Sequence, residues 1–533
     1  MPEEIKNTVT VEDSEVPNTP SEGTADTFQP KWYSLRAKGR FLLALVIFNA
    51  SVAFLLFGYD QGVLAGLLTS EYFLSTFGHP DSGLIGTINS VYNLGCFCGA
   101  IVCFFFGDKL GRRRSILCGL SIMTVGAILQ TSAYSVPQLI VGRVVTGIGN
   151  GIDTATCPVY VSEMVKAERR GNLVSIELHM IALGIVIANY FDIGMSYVAG
   201  HIQWRLPIGF QMVFMIISGS MTMVLPESPR WLAIKGRHEE SLDVLARLHG
   251  KHTPTTHPEV VEAKRQIDQM IFIETDGGNA KRSDIFKSSP LLIRRRIVLA
   301  IGTQAMQQLA GINVLVYYAP TVIENYMGYG HQDALYIAAG ISVAYYVGSF
   351  IPCFFLDQMS RRWSVLSGSL VCGLCFLIAG ILQVNPTVER AKATLAFFYI
   401  YEFAFAWGWL AVPWVYPPEI SQTRYRAQIA SLSTASNWIF NYLVVQITPI
   451  AFSDIGWKTW IVFAVLNFVF IFVVFLFYPE TSGISLEEVD FIFQAYDNSL
   501  FVFKKKRSVQ DIVASNQYDI ESKGEHIHHE PSN

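Results

Sequence analysis

Polar residues interrupt an otherwise apolar chain at intervals set by the thickness of a bilayer. Apolar runs of about 20 residues or more, long enough for a membrane-crossing helix, recur twelve times. They fall at roughly 41–68, 84–106, 115–134, 138–160, 172–198, 206–225, 297–323, 334–357, 363–383, 393–416, 427–451 and 457–478. A long charged stretch, 226–296, separates the sixth run from the seventh, and Glu239 to His249 within it has helical apolar spacing. The pattern predicts an all-α integral membrane protein with two six-helix bundles. Its expected parts are a tail over 1–40, a first bundle over 41–225, a linker with short helices over 226–296, a second bundle over 297–480 and a tail over 481–533.

Composition and charge sharpen that picture. The 533-residue chain is 51% hydrophobic and only 15% charged, which places it among integral membrane proteins. The net charge of −4 matters less than where the bases sit. Lys109, Arg112, Arg113 and Arg114 crowd the second connection, Lys166, Arg169 and Arg170 the fourth, Arg361 and Arg362 the eighth. The first, third and seventh connections carry no Lys or Arg. Basic connections stay in the cytoplasm, so the linker and both termini are expected there. The polar first 40 residues lack the parts of a secretory signal, so the first span is expected to anchor the chain uncleaved. Both end segments have the composition of disordered tails.

Several chemistries are excluded. Cys96, Cys98, Cys103, Cys118, Cys157, Cys353, Cys372 and Cys375 fall in or beside apolar runs and have no His or acidic companions at metal-ligand spacing. They are read as small core residues, with no metal, redox centre or other cofactor. No phosphate-binding glycine loop and no catalytic triad is present, so the chain is read as neither an ATPase nor any other enzyme. No nucleic-acid partner is expected; the lipid bilayer is.

The two halves repeat each other. Gly107-Asp108-Lys109-Leu110-Gly111-Arg112-Arg113 follows the second run, and Asp357-Gln358-Met359-Ser360-Arg361-Arg362 follows the eighth. Glu163 precedes Arg170, and Glu419 precedes Arg426, by the same seven residues after the fourth and tenth runs. Pro226-Glu227-Ser228-Pro229-Arg230 closes the sixth run, and Pro479-Glu480-Thr481 the twelfth. Ordered repetition of this kind points to duplicated bundles. Asp108, Arg112, Arg113, Glu163, Arg170, Glu227, Arg361, Arg362, Glu419 and Arg426 are expected to pair across the bundle interface and hold a cytoplasmic gate shut. Snorkelling arginines explain the bases but not the repeated spacing to Glu.

One carboxylate breaks the first apolar run: Asp60, in Phe57-Gly58-Tyr59-Asp60-Gln61-Gly62. An ionised Asp at membrane depth costs roughly 2.5–3.5 kcal/mol, so it is kept where it meets a cavity or a partner. Two readings stand, a proton-carrying coupling group or a neutral Asp hydrogen-bonded at a glycine-weakened kink. Asp153, Glu177, His179 and Glu402 also lie in apolar surroundings, and the sequence does not rank them as proton sites.

Taken in order, these motifs resemble the sugar porter family of the major facilitator superfamily. The resemblance runs from about 41 to 490 and includes Gly142-Arg143, Gln307-Gln308-Leu309-Ala310-Gly311-Ile312-Asn313 and Pro479-Glu480-Thr481. Pro413-Trp414-Val415-Tyr416-Pro417-Pro418-Glu419, Asn437-Trp438 and the region ending in Tyr197 resemble the fungal glycerol–proton symporter group within it. The resemblance implies the major facilitator fold, a monomer in the plasma membrane, and a central site open alternately to each side. Substrate contacts are implied at Gln307, Gln308, Asn313, Trp414, Asn437 and Asn441. The chemistry fits, because amides offer a donor and an acceptor to a polyhydroxy solute and an indole covers its C–H face. Two positions depart from the hexose pattern: Leu178 and Tyr345 stand where the family has amides. The loss favours a short polyol such as glycerol beside Tyr345.

The resemblance also implies that Asp60 pairs with Arg143. Loss of water and an adjacent arginine pull an acid's proton affinity in opposite directions, so separating the pair changes it. The expected function is proton-coupled import of glycerol or a sugar. The alternatives are a passive hexose or pentose facilitator and a transporter-like nutrient sensor.

Overall fold

The computed structural model describes residues 37–165, 170–250, 253–275, 292–422 and 425–482, with 489, 493, 501 and 502; the side chains at 170–173, 273–275, 357 and 427 lie outside that description. The segments expected as disordered tails lie almost wholly outside the described residues. Every regular element among the described residues is helical.

The first bundle comprises α1 (Gly39–Leu67), a short α2 (Glu71–Thr76), α3 (Ser82–Leu110), α4 (Arg112–Thr131), α5 (Val136–Met164), α6 (Arg170–Ser196) and α7 (Ile202–Val224). The linker folds as α8 (Pro229–Ile234), α9 (His238–His249) and α10 (Pro258–Thr275). The second bundle comprises α11 (Ile293–Leu309), α12 (Ile312–Met327), α13 (His331–Phe355), α14 (Arg361–Leu382), α15 (Val388–Gly408), α16 (Val412–Ile420), α17 (Arg426–Ile455) and α18 (Lys458–Phe477). By length and composition, ten helical segments are apolar enough to cross a membrane. The remaining two spans are α5, which carries Arg143, Asp153 and Glu163, and the pair α11 and α12, which share one crossing.

That division is a correction to the apolar pattern, which reads 297–323 and 393–416 as unbroken. The seventh span breaks at Gly311, whose φ of +101° suits only glycine. A Cβ there would also sit 2.7 Å from the Phe376 ring. The tenth breaks over Trp409–Ala411, between α15 and α16. A broken helix leaves carbonyls without intrahelical partners, and lipid offers no water to satisfy them. Neighbouring side chains do so. The Tyr401 hydroxyl donates to Ala310 O at 3.0 Å and Asn467 Nδ2 to the same oxygen at 2.9 Å. Gln307 Nε2 donates to Trp409 O at 2.7 Å and Leu410 O at 3.3 Å.

Within the first bundle, small residues let backbones touch, the usual basis of helix packing in lipid. A Cβ on Gly99 of α3 would fall 2.1 Å from Ile148 O of α5. One on Gly58 of α1 would fall 2.0 Å from Ile181 O of α6. The bundles meet along two seams. On one, Ser90 of α3 donates to Gln446 Oε1 of α17 at 2.6 Å. On the other, α6 faces α13 through His179 and Ser349 (2.6 Å), Ser196 and Gln332 (3.1 Å), and the hydroxyls of Tyr197 and Tyr336 (2.6 Å). The linker is less solvated than its charge balance suggests. Trp231 of α8 is buried and donates Nε1–H to Asp108 O at 2.9 Å, docking the linker on the α3–α4 corner.

Candidate functional site

The first bundle concentrates charge at its centre. Asp60 on α1 and Arg143 on α5 have wholly buried side chains and form a salt bridge of 3.1 Å between Oδ1 and Nη1. Arg143 Nη2 donates to Asn89 O at 3.4 Å, and the guanidinium lies 4.6 Å from the centre of the Tyr92 ring. Asp60 Oδ2 has no hydrogen-bond partner. Residues far apart in the chain therefore meet as the motif resemblance implies, and the kink reading of Asp60 does not account for the arginine.

The second bundle has a neutral centre. Asn313 Nδ2 donates to Gln308 Oε1 at 2.7 Å, Gln308 Nε2 to Gln307 Oε1 at 3.3 Å, and Asn437 Nδ2 to Gln307 Oε1 at 3.0 Å and Gln304 Oε1 at 2.6 Å. All five amides are buried. Gln304, absent from the sequence-based set, completes the chain by donating to Pro413 O at 2.8 Å. Its signal was its place one helical turn before Gln307–Gln308, on the same face. Both N–H groups of Gln307 are engaged by the α15–α16 break, so this amide also stitches helices together. Asn441 is buried one turn beyond Asn437, with Oδ1 unpartnered. Trp414 is half-buried on α16. Tyr345 is not hydrogen-bonded into the amide chain; it packs 6.2 Å from the Phe405 ring and lines a separate cavity. Leu178 is buried on α6.

The repeated charged motifs build two matching corners at one end of the molecule, the end with the basic connections. In the first bundle, Arg112 pairs with Glu163 at 2.9 Å and with Asp108 at 3.1 Å. Glu227 accepts the backbone N–H groups of Arg112 (3.0 Å) and Arg113 (3.2 Å) at the start of α4. In the second, Arg361 pairs with Glu419 at 2.9 Å. Glu480 accepts the N–H groups of Arg361 (2.9 Å) and Arg362 (3.1 Å) and the Ser360 hydroxyl. Arg113 donates to Thr222 O (3.0 Å) and Met223 O, and Arg362 to Phe475 O. Arg426 opens α17, and the Arg170 side chain lies outside the described residues.

These pairs correct the expectation of bridges across the interface. Arg112–Glu163 and Arg361–Glu419 each close within one bundle, because each Arg starts a helix beside the end of the helix that carries its Glu. Two tyrosines missed by the sequence reading extend the symmetry. Tyr160 donates to Pro226 O at 2.7 Å and Tyr416 to Pro479 O at 3.0 Å. Each stands three residues before its Glu, a repeat present in the sequence. The corners differ in proton affinity. Burial pushes the Glu227 carboxyl up, and the N–H groups of Ser228, Arg113 and Arg112 only partly offset it. Burial also acts on Glu480, but the Ser360 hydroxyl and the Ser482, Arg362 and Arg361 N–H groups outweigh it and hold that carboxyl below its ordinary value. Among the described residues no cluster of His, Cys, Asp or Glu is placed to hold a metal.

Two six-helix bundles, each with a buried polar centre, and two broken helices define a transporter of the major facilitator fold. The family model described as "Sugar (and other) transporter" matches residues 46–493, and the chain belongs to that family of sugar transporters. It is 40% identical to the MFS-type transporter oryC of Aspergillus oryzae over 82% of each chain. It is 35% identical to the sugar transporter STL1 of Saccharomyces cerevisiae, over 86% of this chain and 83% of that one. It is 30% identical to a high-affinity glucose transporter of Kluyveromyces lactis over 83% of each. The proton:xylose symporter XylE bound to 6-bromo-6-deoxy-D-glucose overlays with a TM-score of 0.71 at 22% identity, over 84% of this chain and 98% of that one. At that identity the likeness is one of fold.

Proposed function

We propose that the chain is a proton-coupled symporter that imports a small polyhydroxy solute, glycerol or a sugar, across the plasma membrane by alternating access. The observation that carries this reading is the buried Asp60–Arg143 pair with one carboxylate oxygen unpartnered. A proton reaching Oδ2 neutralises Asp60 and weakens its bond to Arg143. Arg143 keeps Asn89 O and the Tyr92 ring, so the arginine stays placed while the link between α1 and α5 loosens. A buried charge that loses its partner is strongly unfavourable, which favours rearrangement of the bundle until the proton leaves.

The basic end faces the cytoplasm in this reading, with both termini there, because basic connections are retained on that side. The contacts Ser90–Gln446, Ser196–Gln332 and Tyr197–Tyr336 then close the outer face. The amide chain of the second bundle supplies solute contacts, through Gln308, Asn313, Asn437 and Asn441 more than through Gln307. The sugar and glucose transporters among its relatives support a polyhydroxy solute. Leu178 and Tyr345, in place of amides, favour a short one such as glycerol. The transporter works as a monomer, 41–225 and 297–480 rocking about the site with 226–296 as the linker.

Asp60→Asn tests the coupling. Cells expressing this variant are expected to lose solute-dependent alkalinisation of the medium while retaining downhill uptake. Alkalinisation at the wild-type rate overturns the assignment. Wild-type uptake that never exceeds equilibration under an imposed pH difference makes the protein a passive facilitator.

A further inference from the structure

Glu402 lies within α15, buried, with Oε2 lacking any hydrogen-bond partner. It borders a cavity on the seam between the bundles, walled by α6 of the first and by α12, α13 and α15 of the second. The polar residues of its lining are Asn189, Ser342, Tyr345 and Glu402. The apolar ones include Ile185, Leu315, Val316 and Ile341. Two of the polar groups already use donors on backbone, Asn189 Nδ2 on Ile185 O at 3.1 Å and the Ser342 hydroxyl on Ala339 O at 2.7 Å. What remains in that lining is the Glu402 carboxyl and the Tyr345 hydroxyl. A carboxylate accepts through both oxygens and donates nothing when ionised.

A ligand that matches this lining brings both O–H donors and C–H surface. A buried acceptor without a donor is rare in proteins and calls for an explanation, of which a bound molecule is one. Resting on the reading of the chain as a carrier of polyhydroxy solutes, we infer that Glu402 is a specificity-determining residue that accepts two hydrogen bonds from adjacent hydroxyls of the solute. Ser342 and Asn189 flank that contact, and the Tyr345 ring limits the length of the solute beyond it.

The test uses the full chain purified in detergent, with binding read by thermal shift, and the same chain in proteoliposomes for uptake and proton flux. The probes are glycerol, propylene glycol, which keeps adjacent hydroxyls, and trimethylene glycol, which does not. Wild type is expected to prefer glycerol and propylene glycol to trimethylene glycol by about tenfold or more, because a site built for a hydroxyl rejects the analogue that lacks it. Glu402→Gln is expected to collapse that preference to about twofold, with protons moved per solute unchanged. Unchanged selectivity in Glu402→Gln overturns the inference, and unchanged selectivity with lost proton flux makes Glu402 a proton site instead. Ser342→Ala carries the test if Glu402→Gln does not fold: the preference is expected to fall about threefold, and no fall overturns it. A wild type that binds diols selectively but moves no protons supports the pocket and overturns the coupling. A wild type that binds none of the three probes overturns the inference and leaves a sugar as the solute of the proposed symporter.

Discussion

The centres of the two bundles solve the same problem, polar groups at membrane depth, in opposite ways. The first uses a charged pair, Asp60 and Arg143, sealed from water and left one hydrogen bond short. The second uses neutral amides, Gln304, Gln307, Gln308, Asn313 and Asn437, that satisfy one another and the carbonyls of a broken helix. A charged pair responds steeply to one proton, because the loss of either charge strands the other in a low dielectric. An amide chain is indifferent to protons and recognises hydroxyls. In the proposed reading, energy coupling sits in the first half of the duplicated scaffold and most solute contacts in the second. Their communication then runs through the seams, where residues of both bundles meet.

The largest effect expected from breaking this contrast is in the first bundle. Arg143→Met strands the Asp60 carboxylate and is expected to lower stability by about 3–5 kcal/mol, as for other buried pairs with one partner removed. The double variant Asp60→Asn/Arg143→Met is expected to recover much of that loss in thermal unfolding of the purified protein. A double variant no more stable than Arg143→Met alone breaks the account of the pair. The next effect is in the second bundle. Gln307→Ala leaves the buried Trp409 and Leu410 carbonyls without donors, at about 1–3 kcal/mol, whereas Gln308→Ala loses two bonds to other side-chain amides, Gln307 and Asn313, at about 0.5–1.5 kcal/mol each. Gln308→Ala is expected to raise KM for solute with little loss of folded protein, and Gln307→Ala to do the reverse. Equal effects on both measures would dissolve the distinction between stitching and recognition.

The smallest effect tests the matched corners. Glu480 is held below its ordinary value, so its contribution is present above the usual glutamate range (~4.3) and disappears as pH falls through the depressed value. Glu227 is raised, so its contribution is complete below that range and declines as pH rises through the raised value. Unfolding midpoints from acid to neutral pH are expected to show Glu480→Gln converging on wild type in acid. Glu227→Gln is expected to match wild type in acid and to become the more stable of the two as pH rises. Both carboxylates are only partly buried, so after screening each difference is expected to stay within about 1 kcal/mol. Parallel pH profiles would mean the corners do not differ as their surroundings imply.

The extent to which the sequence alone sufficed varies by element. The twelve crossings, their grouping in sixes and the paired corner motifs follow from local facts: run length, basic connections and repeated spacing. Arg112 and Glu163 were legible as members of one charged set for the same reason, but not that they bond to each other within one bundle. The breaks at Gly311 and Trp409–Ala411 were hidden, because apolar residues continue straight through them and hydropathy does not register a lost backbone hydrogen bond. Gln304 and Tyr401 were missed on the same account, since their role exists only where another helix presents an orphan carbonyl.

Periodicity and charge therefore determined which segments cross the membrane and that the halves are copies, since lipid solvation acts on each segment separately. Only the tertiary structure decided which buried groups meet. It joined Asp60 to Arg143, turned Gln307 toward a broken helix and left Glu402 facing a cavity, because hydrogen bonds at membrane depth are settled by neighbours remote in the chain.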